Sequence, residues 1–377
     1  MGNYQQCVKC ILDTKDDPSI HFNEDGICNY CSSYENSYLV NRPSNVVLEN
    51  QLSTTLKNIQ DKGRLDKYDC IMGLSGGVDS SYLALKAMEW GLKPLLVHFD
   101  NGWNSELAVQ NINCIVEKSG FDLYTYVVDW EEFRDLQLSY ILSGVIDWEV
   151  PTDHGFYAVL HEQASKNGIK SILAGFNHQT EAILPQNMSW RKQDLANLLD
   201  IHKTFGSRKL KSYPLLGFYK YTYYQKVKNM RVYRPLDLIP YNQENAKREI
   251  IEHFGWKDYG GKHYESIFTR FYQGYVLPTK YKIDKRHAHL SNLINSGQIT
   301  KEEALVEASG SPYHDDALFK NDFNFFLKKM EITRGQFEDI ISQKPIPHLN
   351  YRSYVTGLYP KHEYIFRILN KIRNRRV

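Results

Sequence analysis

The chain has 377 residues, of which 42% are hydrophobic and 24% are charged, and its formal net charge at pH 7 is +2. This composition is typical of a globular protein with sizeable cores, and the small net charge excludes a surface-wide field for capturing nucleic acid. No apolar run reaches the length of a membrane span, and the N-terminal sequence lacks the apolar stretch of a secretory signal, so we expect a cytoplasmic protein.

Four of the six cysteines form two pairs near the N-terminus. Cys7 and Cys10 are followed, after 17 residues, by Cys28 and Cys31. Each pair can direct two thiolates toward one tetrahedral ion, so the spacing predicts a structural zinc ribbon over residues 1–40 with a tight turn at 23–26. An iron–sulfur cluster is the alternative that the spacing leaves open. Two disulfides conflict with the expected cytoplasmic location.

From residue 68 onward, apolar strand-like runs alternate with amphipathic helical stretches. We predict strands at 68–74, 93–99, 123–128 and 169–174, and helices at 79–90, 105–119, 130–143 and 153–166. This alternation indicates an α/β domain with a parallel sheet over residues 41–240.

The segment 201–234 contains nine Lys or Arg residues among its tyrosines and no Asp or Glu. It is either an anion-binding surface or an aromatic-rich connection packed on the sheet. Beyond 241 the pattern predicts a mostly helical C-terminal region that runs to 377. Capping boxes begin at Thr300 and Thr333, helix ends are expected at Gly255, Gly297 and Gly310, and a basic tail covers 371–377.

The most informative motif follows the first predicted strand. A turn from a buried strand into a helix places backbone N–H groups and the helix dipole around an anion. The two glycines permit a sharp turn, and Asp79 fits a bound magnesium ion better than a bare anion. The segment therefore predicts a loop that binds ATP phosphates through Ser75, Gly76, Gly77, Val78, Asp79, Ser80 and Ser81.

This lysine-free loop resembles the pyrophosphate loop of the ATP pyrophosphatases. The resemblance implies a HUP-type doubly wound parallel sheet and a reaction that releases AMP and pyrophosphate. The cysteine ribbon, the loop, and the segments 98–103, 262–266, 269–270 and 284–291 occur in the order seen in N-acetyl sugar amidotransferases. The chain is therefore similar to that family over nearly its whole length. The resemblance implies conversion of an acetamido group on a nucleotide-linked sugar into an acetamidino group during O-antigen or nonulosonic acid synthesis.

The resemblance also implies roles for individual residues. The adenine would lie against the backbone of Val97, His98 and Phe99, and the ribose or reaction centre would contact Asp100 and Asn101. The loop after the fourth strand adds Gly175, with Asn177 and Glu181 as candidates for phosphate or metal contact. Lys285 and Arg286 either neutralise phosphates of ATP or of the nucleotide sugar, or form a solvated basic pair.

We expect ATP, magnesium and a structural zinc ion as cofactors. Neither an N-terminal nucleophilic cysteine nor a nucleophile-elbow cysteine is evident, so ammonia is expected from outside the chain. The family resemblance implies separate glutaminase-like and cyclase-like partner subunits.

Two rival interpretations remain. A tRNA-thiolating enzyme combines a similar loop with cysteine ribbons, but it needs reactive cysteines, and Cys70 and Cys114 lie in apolar stretches. A nucleotide-sensing scaffold without catalytic activity is the other alternative.

Overall fold

The structure is a computed structural model that describes residues 4–313 and 315–356, so the basic tail at 371–377 lies outside the described residues. Its centre is a parallel sheet of five strands, namely β1 Cys70–Gly73, β2 Pro94–Asp100, β3 Leu123–Val127, β4 Ser171–Leu173 and β5 Arg231–Tyr233. The strand order is β3-β2-β1-β4-β5. The chain therefore winds outward from β1 in one direction and then in the other, which confirms the doubly wound parallel sheet and makes the end of β1 the point where ligands bind in such folds.

Helices surround this sheet and form most of the C-terminal region. Before β1 lie α1 Asn29–Tyr34 and α2 Asn45–Lys62. The crossovers contain α3 Val78–Glu89, α4 Glu106–Ser119, α5 Trp130–Leu142, α6 Val150–Lys166, α7 His178–Glu181, α8 Leu195–Phe205 and α9 Phe218–Lys226. After β5 come α10 Gln243–Phe254, α11 Ile267–Phe271, α12 Lys285–Asn295, α13 Lys301–Ser309, α14 Asp316–Met330 and α15 Arg334–Ser342. None of the described helices combines the length and apolarity that crossing a bilayer requires.

Each strand contributes to two cores because its side chains alternate between the faces of the sheet. Met72 and Leu96 belong to the core that includes residues of α3, α4 and α10. Ile71 and Val97 belong to the opposite core, which includes residues of α5, α6 and α8. The inner strands β1, β2 and β4 have both faces covered and read as continuous apolar runs, as expected for a buried parallel sheet.

Local signals in the sequence set the helix ends as predicted. The Ser105 hydroxyl accepts a bond from the Ala108 N–H at the start of α4, and Gly120 ends that helix in the left-handed conformation. Capping boxes are present at Thr300 and Thr333. The four predicted strands occur within a few residues of their predicted bounds, whereas β5 was not predicted.

The basic segment 201–234 is partly a packed connection. The Glu132 carboxylate of α5 accepts bonds from the backbone N–H groups of Lys211, Ser212 and Tyr213. The Asp135 carboxylate of the same helix accepts bonds from the backbone N–H groups of Ser207 and Arg208. Between 207 and 213 the segment is therefore held by acidic residues of its own chain, which supports the second of the two interpretations there.

Candidate active site

The loop after β1 leads into α3 with its N–H groups left open. Gly77 is the N-cap residue of α3 and provides no side-chain cap. The Ser80 hydroxyl lies 3.3 Å from the Ser75 nitrogen and 3.1 Å from the Ser75 hydroxyl, which closes the turn on itself. An uncapped helix start with a positive dipole end is an anion-binding geometry. Ser81, also predicted to contact phosphate, is fully buried, and its hydroxyl has no hydrogen-bond partner among the described residues.

A second segment fixes the orientation of this loop. Gly76 has φ +84°, in the left-handed region that favours glycine. Its carbonyl accepts bonds from the Trp256 ring N–H at 2.8 Å and from the Tyr259 hydroxyl at 2.9 Å. The residues that follow α10 therefore hold this carbonyl from outside the loop.

Asp79 is tied to the loop after β4. Its carboxylate accepts a bond from the Asn177 amide at 3.2 Å and another from the Tyr241 hydroxyl. Burial and the nearby charge of Glu181 raise the pKa of Asp79. The Asn177 amide oxygen accepts both donors of Thr180, so this side chain positions Asp79 and caps α7. Gly175 lies beside the first turn of α3, since a Cβ there would lie 3.4 Å from the Asp79 carbonyl oxygen.

Charged residues from a distant segment complete this side of the site. The Lys262 ammonium lies 3.5 Å from a Glu181 carboxylate oxygen. The His263 ring nitrogen lies 3.7 Å from Glu265, whose Oε1 would lie 2.8 Å from a Cβ on Gly77. The segment 262–265 thus reaches both the pyrophosphate loop and the loop after β4.

Helix α12 faces these charged residues with two side chains one turn apart. The group is called the charged cluster below, and its members are Glu149, Glu181, Lys262, His263, Glu265, Lys285 and His289. The Lys285 ammonium lies 3.4 Å from the Glu149 carboxylate, and the His289 ring packs edge-on against the His263 ring with centroids 5.5 Å apart. Burial, reinforced by the charges of Lys262, His263 and Lys285, lowers the pKa of His289 well below its ordinary value. His289 is therefore neutral at pH 7.

Arg286 is held by other residues of the chain at the start of α12. Its guanidinium forms a two-pronged bond with Asp284 and also donates to the carbonyls of Glu307, Ala308 and Gly310 at the end of α13. These bonds engage its donors within the protein. Arg286 therefore anchors α13 to the start of α12, and of the predicted basic pair only Lys285 lies in the cluster.

The end of β2 forms the other wall. Val97 and Phe99 belong to the core, so only their backbone groups can face a ligand. β1 ends at Gly73, which pairs with Val97 of β2, whereas β2 continues for three more residues to Asp100. Because alternate residues of a parallel strand bond to opposite neighbours, the peptide groups of Phe99 face the side on which β1 has ended.

Side chains around that strand end are held by one another. His98 lies 2.9 Å from the Leu74 carbonyl through Nδ1 and 2.9 Å from the Asn104 amide nitrogen through Nε2. Nε2 therefore accepts, Nδ1–H donates, and burial lowers the pKa of this ring. Asp100 accepts the Gly102 N–H, and the Asn101 amide donates to Thr152 at 3.0 Å.

The four paired cysteines converge at the N-terminal ribbon. Their sulfurs all lie within 4.8 Å of one another, with Cys7 and Cys31 sulfurs 4.0 Å apart and Cys10 and Cys28 sulfurs 3.8 Å apart. A tetrahedral ion with metal–sulfur bonds of about 2.3 Å requires sulfur–sulfur edges of about 3.8 Å. The geometry therefore fits one four-coordinate zinc ion in a closed structural site.

The ribbon packs on the helix that carries Lys285 and His289. The Asn295 amide of α12 donates to the Cys31 sulfur at 3.1 Å, and His287 lies 2.8 Å from Asp16. Burial alone would lower the pKa of His287, but the bond and charge of Asp16 overcome it and raise that pKa. The ribbon thus holds the face of α12 opposite the charged cluster.

Residues 265–365 match a family model described as "LPS biosynthesis protein WbpG-like, C-terminal domain". Over these residues the chain is similar to the WbpG-like C-terminal domain. The match includes the predicted motif at 284–291 and confirms the family resemblance drawn from the sequence. Helix α12, with Lys285 and His289, therefore belongs to the WbpG-like domain, whereas the pyrophosphate loop precedes it.

Among curated proteins no relative of the chain was found. A search of solved structures matched the chain to an NMN synthetase from Francisella tularensis, at 12% identity and TM-score 0.36 over 81% of this chain and 99% of that one. An NH3-dependent NAD synthetase from Campylobacter jejuni is similar at 11% identity and TM-score 0.34, over 75% of this chain and 94% of that one.

Several residues of the charged cluster were not among the predicted site residues. They are Glu149, Lys262, His263, Glu265 and His289. Only the motif segments 262–266 and 284–291, which carry the family resemblance, pointed toward four of them, and nothing in the local pattern marked Glu149.

Proposed function

We propose that this protein is an ATP-dependent amidotransferase that adenylates the acetamido oxygen of a nucleotide-linked N-acetyl sugar and lets ammonia displace AMP to give an acetamidino group. The observation that carries the proposal is the convergence of three features at the carboxyl ends of the strands. They are an uncapped, lysine-free loop, the Asp79 and Glu181 carboxylates, and the Lys285 ammonium from the region that matches the WbpG-like model.

The open N–H groups at the start of α3 are suited to bind the leaving pyrophosphate, and the Lys262 ammonium is placed to neutralise charge there. The peptide groups of Phe99 offer a donor and an acceptor for adenine at the adjoining strand end. Both features favour a nucleotide that spans β1 and β2.

Magnesium fits this arrangement through two carboxylates. Asp79 and Glu181 are close enough for the charge of one to raise the pKa of the other. A magnesium ion in such sites is held by one or two carboxylates and by substrate phosphates, and it supplies positive charge to the phosphoryl oxygens. Asn177 and Tyr241 hold Asp79 in place for that role.

An amide carbonyl is a poor electrophile, so replacing its oxygen requires a better leaving group. In the proposed reaction, the amide oxygen attacks the α-phosphorus of ATP, pyrophosphate leaves, and AMP becomes the group that ammonia expels. Ammonia is expected from separate glutaminase-like and cyclase-like subunits, so the isolated chain should use ammonium salts and not glutamine.

The thiolation alternative is less favoured. Burial raises the pKa of the Cys70 thiol well above its ordinary value, which makes it an inert core residue. Replacement of Cys70 and Cys114 by alanine should therefore leave activity intact.

The test is mass spectrometry of UDP- and CMP-linked acetamido sugars after incubation with ATP, magnesium and ammonia. A product lighter by the difference between O and NH, formed with stoichiometric AMP, is expected. Asp79→Asn should abolish it, whereas Asp25→Asn in the ribbon turn is a matched control. No such product from any acetamido sugar would refute the proposal.

A further inference from the structure

The charged cluster contains one ionisable side chain that the protein itself does not engage. Glu149 contacts Lys285, Glu181 contacts Lys262, and His263 faces Glu265, as described above. Among the described residues of the cluster, His289 alone forms neither a hydrogen bond nor an ion pair. Its ring contacts another imidazole edge-on and is otherwise available to a ligand.

Two features fix His289 in this position. It lies one helical turn after Lys285 on α12, so both side chains face the cluster. The opposite face of α12 is bound to the ribbon through His287 and Asn295. A free imidazole on a helix clamped from behind is preorganised for a ligand.

We propose that His289 accepts the proton that ammonia loses when it attacks the adenylated amide. This inference rests on the proposed function and assigns a catalytic residue to its second half-reaction. The lone pair of ammonia forms the new N–C bond, and the C=N electron pair of the protonated imidate moves onto the sugar nitrogen.

The resulting adduct carries its positive charge on the new nitrogen, and one N–H proton passes from that nitrogen to the His289 ring. The nitrogen lone pair then forms a C=N bond while the C–O bond to AMP breaks, which leaves an amidinium group and AMP. His289 releases its proton to solvent. Atoms and charge balance without any further reactant.

The electrostatic surroundings suit this role. The groups that face His289 are Lys262 and His263 from the segment before α11 and Lys285 from its own helix, and Glu149 pairs with Lys285. In the free protein burial, reinforced by the ammonium groups of Lys262 and Lys285, keeps the ring neutral. Phosphates bound beside Lys262 and Lys285 would offset the two ammonium charges, so the ring becomes a stronger base when the nucleotide is present.

The experiment separates the two half-reactions in the full-length chain. Without ammonia, exchange of labelled pyrophosphate into ATP in the presence of the acetamido sugar reports adenylation. With ammonia, amidine formation reports both steps. His289→Gln is expected to retain exchange within a few-fold and to lower amidine formation roughly 10²- to 10⁴-fold, the usual contribution of a general base.

Hydroxylamine provides a second measurement. Its adduct is more acidic than that of ammonia and loses its proton to water readily, so the defect of His289→Gln should shrink with this nucleophile. His253→Gln, at an exposed histidine at the end of α10, is the matched control and should behave as the wild type.

Equal loss of exchange and amidine formation in His289→Gln would overturn the inference, as would full retention of amidine formation or an equal defect with both nucleophiles. Lack of sugar-dependent exchange and of amidine in the wild-type protein would refute the proposed function itself. The two failures are therefore distinguishable.

Discussion

A methyl group on Gly76 tests how the pyrophosphate loop is built. The residue has φ +84°, a backbone conformation that costs an L-amino acid about 1–2 kcal/mol of conformational free energy. A Cβ there would lie 3.0 Å from the Tyr259 hydroxyl and 3.2 Å from the Ala108 carbonyl oxygen. The Ala108 carbonyl is helix backbone and cannot yield easily, so overpacking adds about 1–3 kcal/mol. We expect Gly76→Ala to lower the free energy of unfolding by roughly 2–5 kcal/mol.

Gly91 provides a matched control. It also has a left-handed backbone, with φ +66°, but a Cβ there meets nothing within 4 Å. Gly91→Ala should therefore lower the free energy of unfolding only by the cost of the left-handed backbone, about 1–2 kcal/mol. Denaturant unfolding measures both variants, and pyrophosphate exchange should be lost in Gly76→Ala alone. Equal stability of the two variants, or normal exchange in Gly76→Ala, would show that the loop is not held as described.

Three further changes address other parts of the molecule. Burial would raise the pKa of Glu132, but bonds from three backbone N–H groups lower it below its ordinary value. The ionised carboxylate therefore stabilises the fold above about pH 5, and this stabilisation is lost as the pH falls through the lowered pKa. Glu132→Gln should be less stable than the wild type by about 1.5–3 kcal/mol at pH 7, and the difference should narrow in acid; a pH-independent gap in urea unfolding would contradict this. Cys28→Ser should lose the bound metal and melt at a lower temperature, whereas Cys114→Ser should keep the metal content and the melting temperature of the wild type. Metal analysis and calorimetry compare the two variants, and an unchanged metal content in Cys28→Ser would exclude the four-sulfur site. Asn177→Asp keeps the cap of α7 but places a second carboxyl against Asp79, so pyrophosphate exchange at neutral pH should fall roughly tenfold or more, and undiminished exchange would rule out the positioning role of Asn177.

Of the four strands that the sequence predicts, β1, β2 and β4 bury both faces, whereas β3 is partly exposed. β1 and β2 are almost wholly buried and read as apolar runs, and α4, which follows β2, carries its own N-cap at Ser105. β5 has three residues, of which Arg231 and Val232 are exposed, and it lies in a basic stretch. An edge strand this short has neither an apolar run nor alternation, so its pairing with β4 is decided by tertiary contacts that spacing does not reveal.

In the site, too, the features set by local sequence were predictable and those set by tertiary contacts were not. Turn chemistry at Gly76 and Asp79 is local, and the sequence predicts where that loop lies. The meeting of Glu181 with Lys262, 3.5 Å apart, joins residues far apart in the chain, and so does the pairing of Lys285 with Glu149. The sequence also does not reveal that Arg286 bonds to Asp284 and to three backbone carbonyls at the end of α13, because these partners are fixed by tertiary packing.

Helix α12 explains why a closed metal ribbon and a WbpG-like domain occur in one chain. Positions 285 and 289 face the charged cluster, whereas His287 and Asn295 face the ribbon, where they meet Asp16 and the Cys31 sulfur. Loss of the metal would therefore loosen the surface on which α12 rests, although no cysteine of the ribbon contacts the cluster. On this reasoning the ribbon acts on catalysis by fixing the helix that carries Lys285 and His289, and the Cys28→Ser variant should lose amidine formation together with its metal.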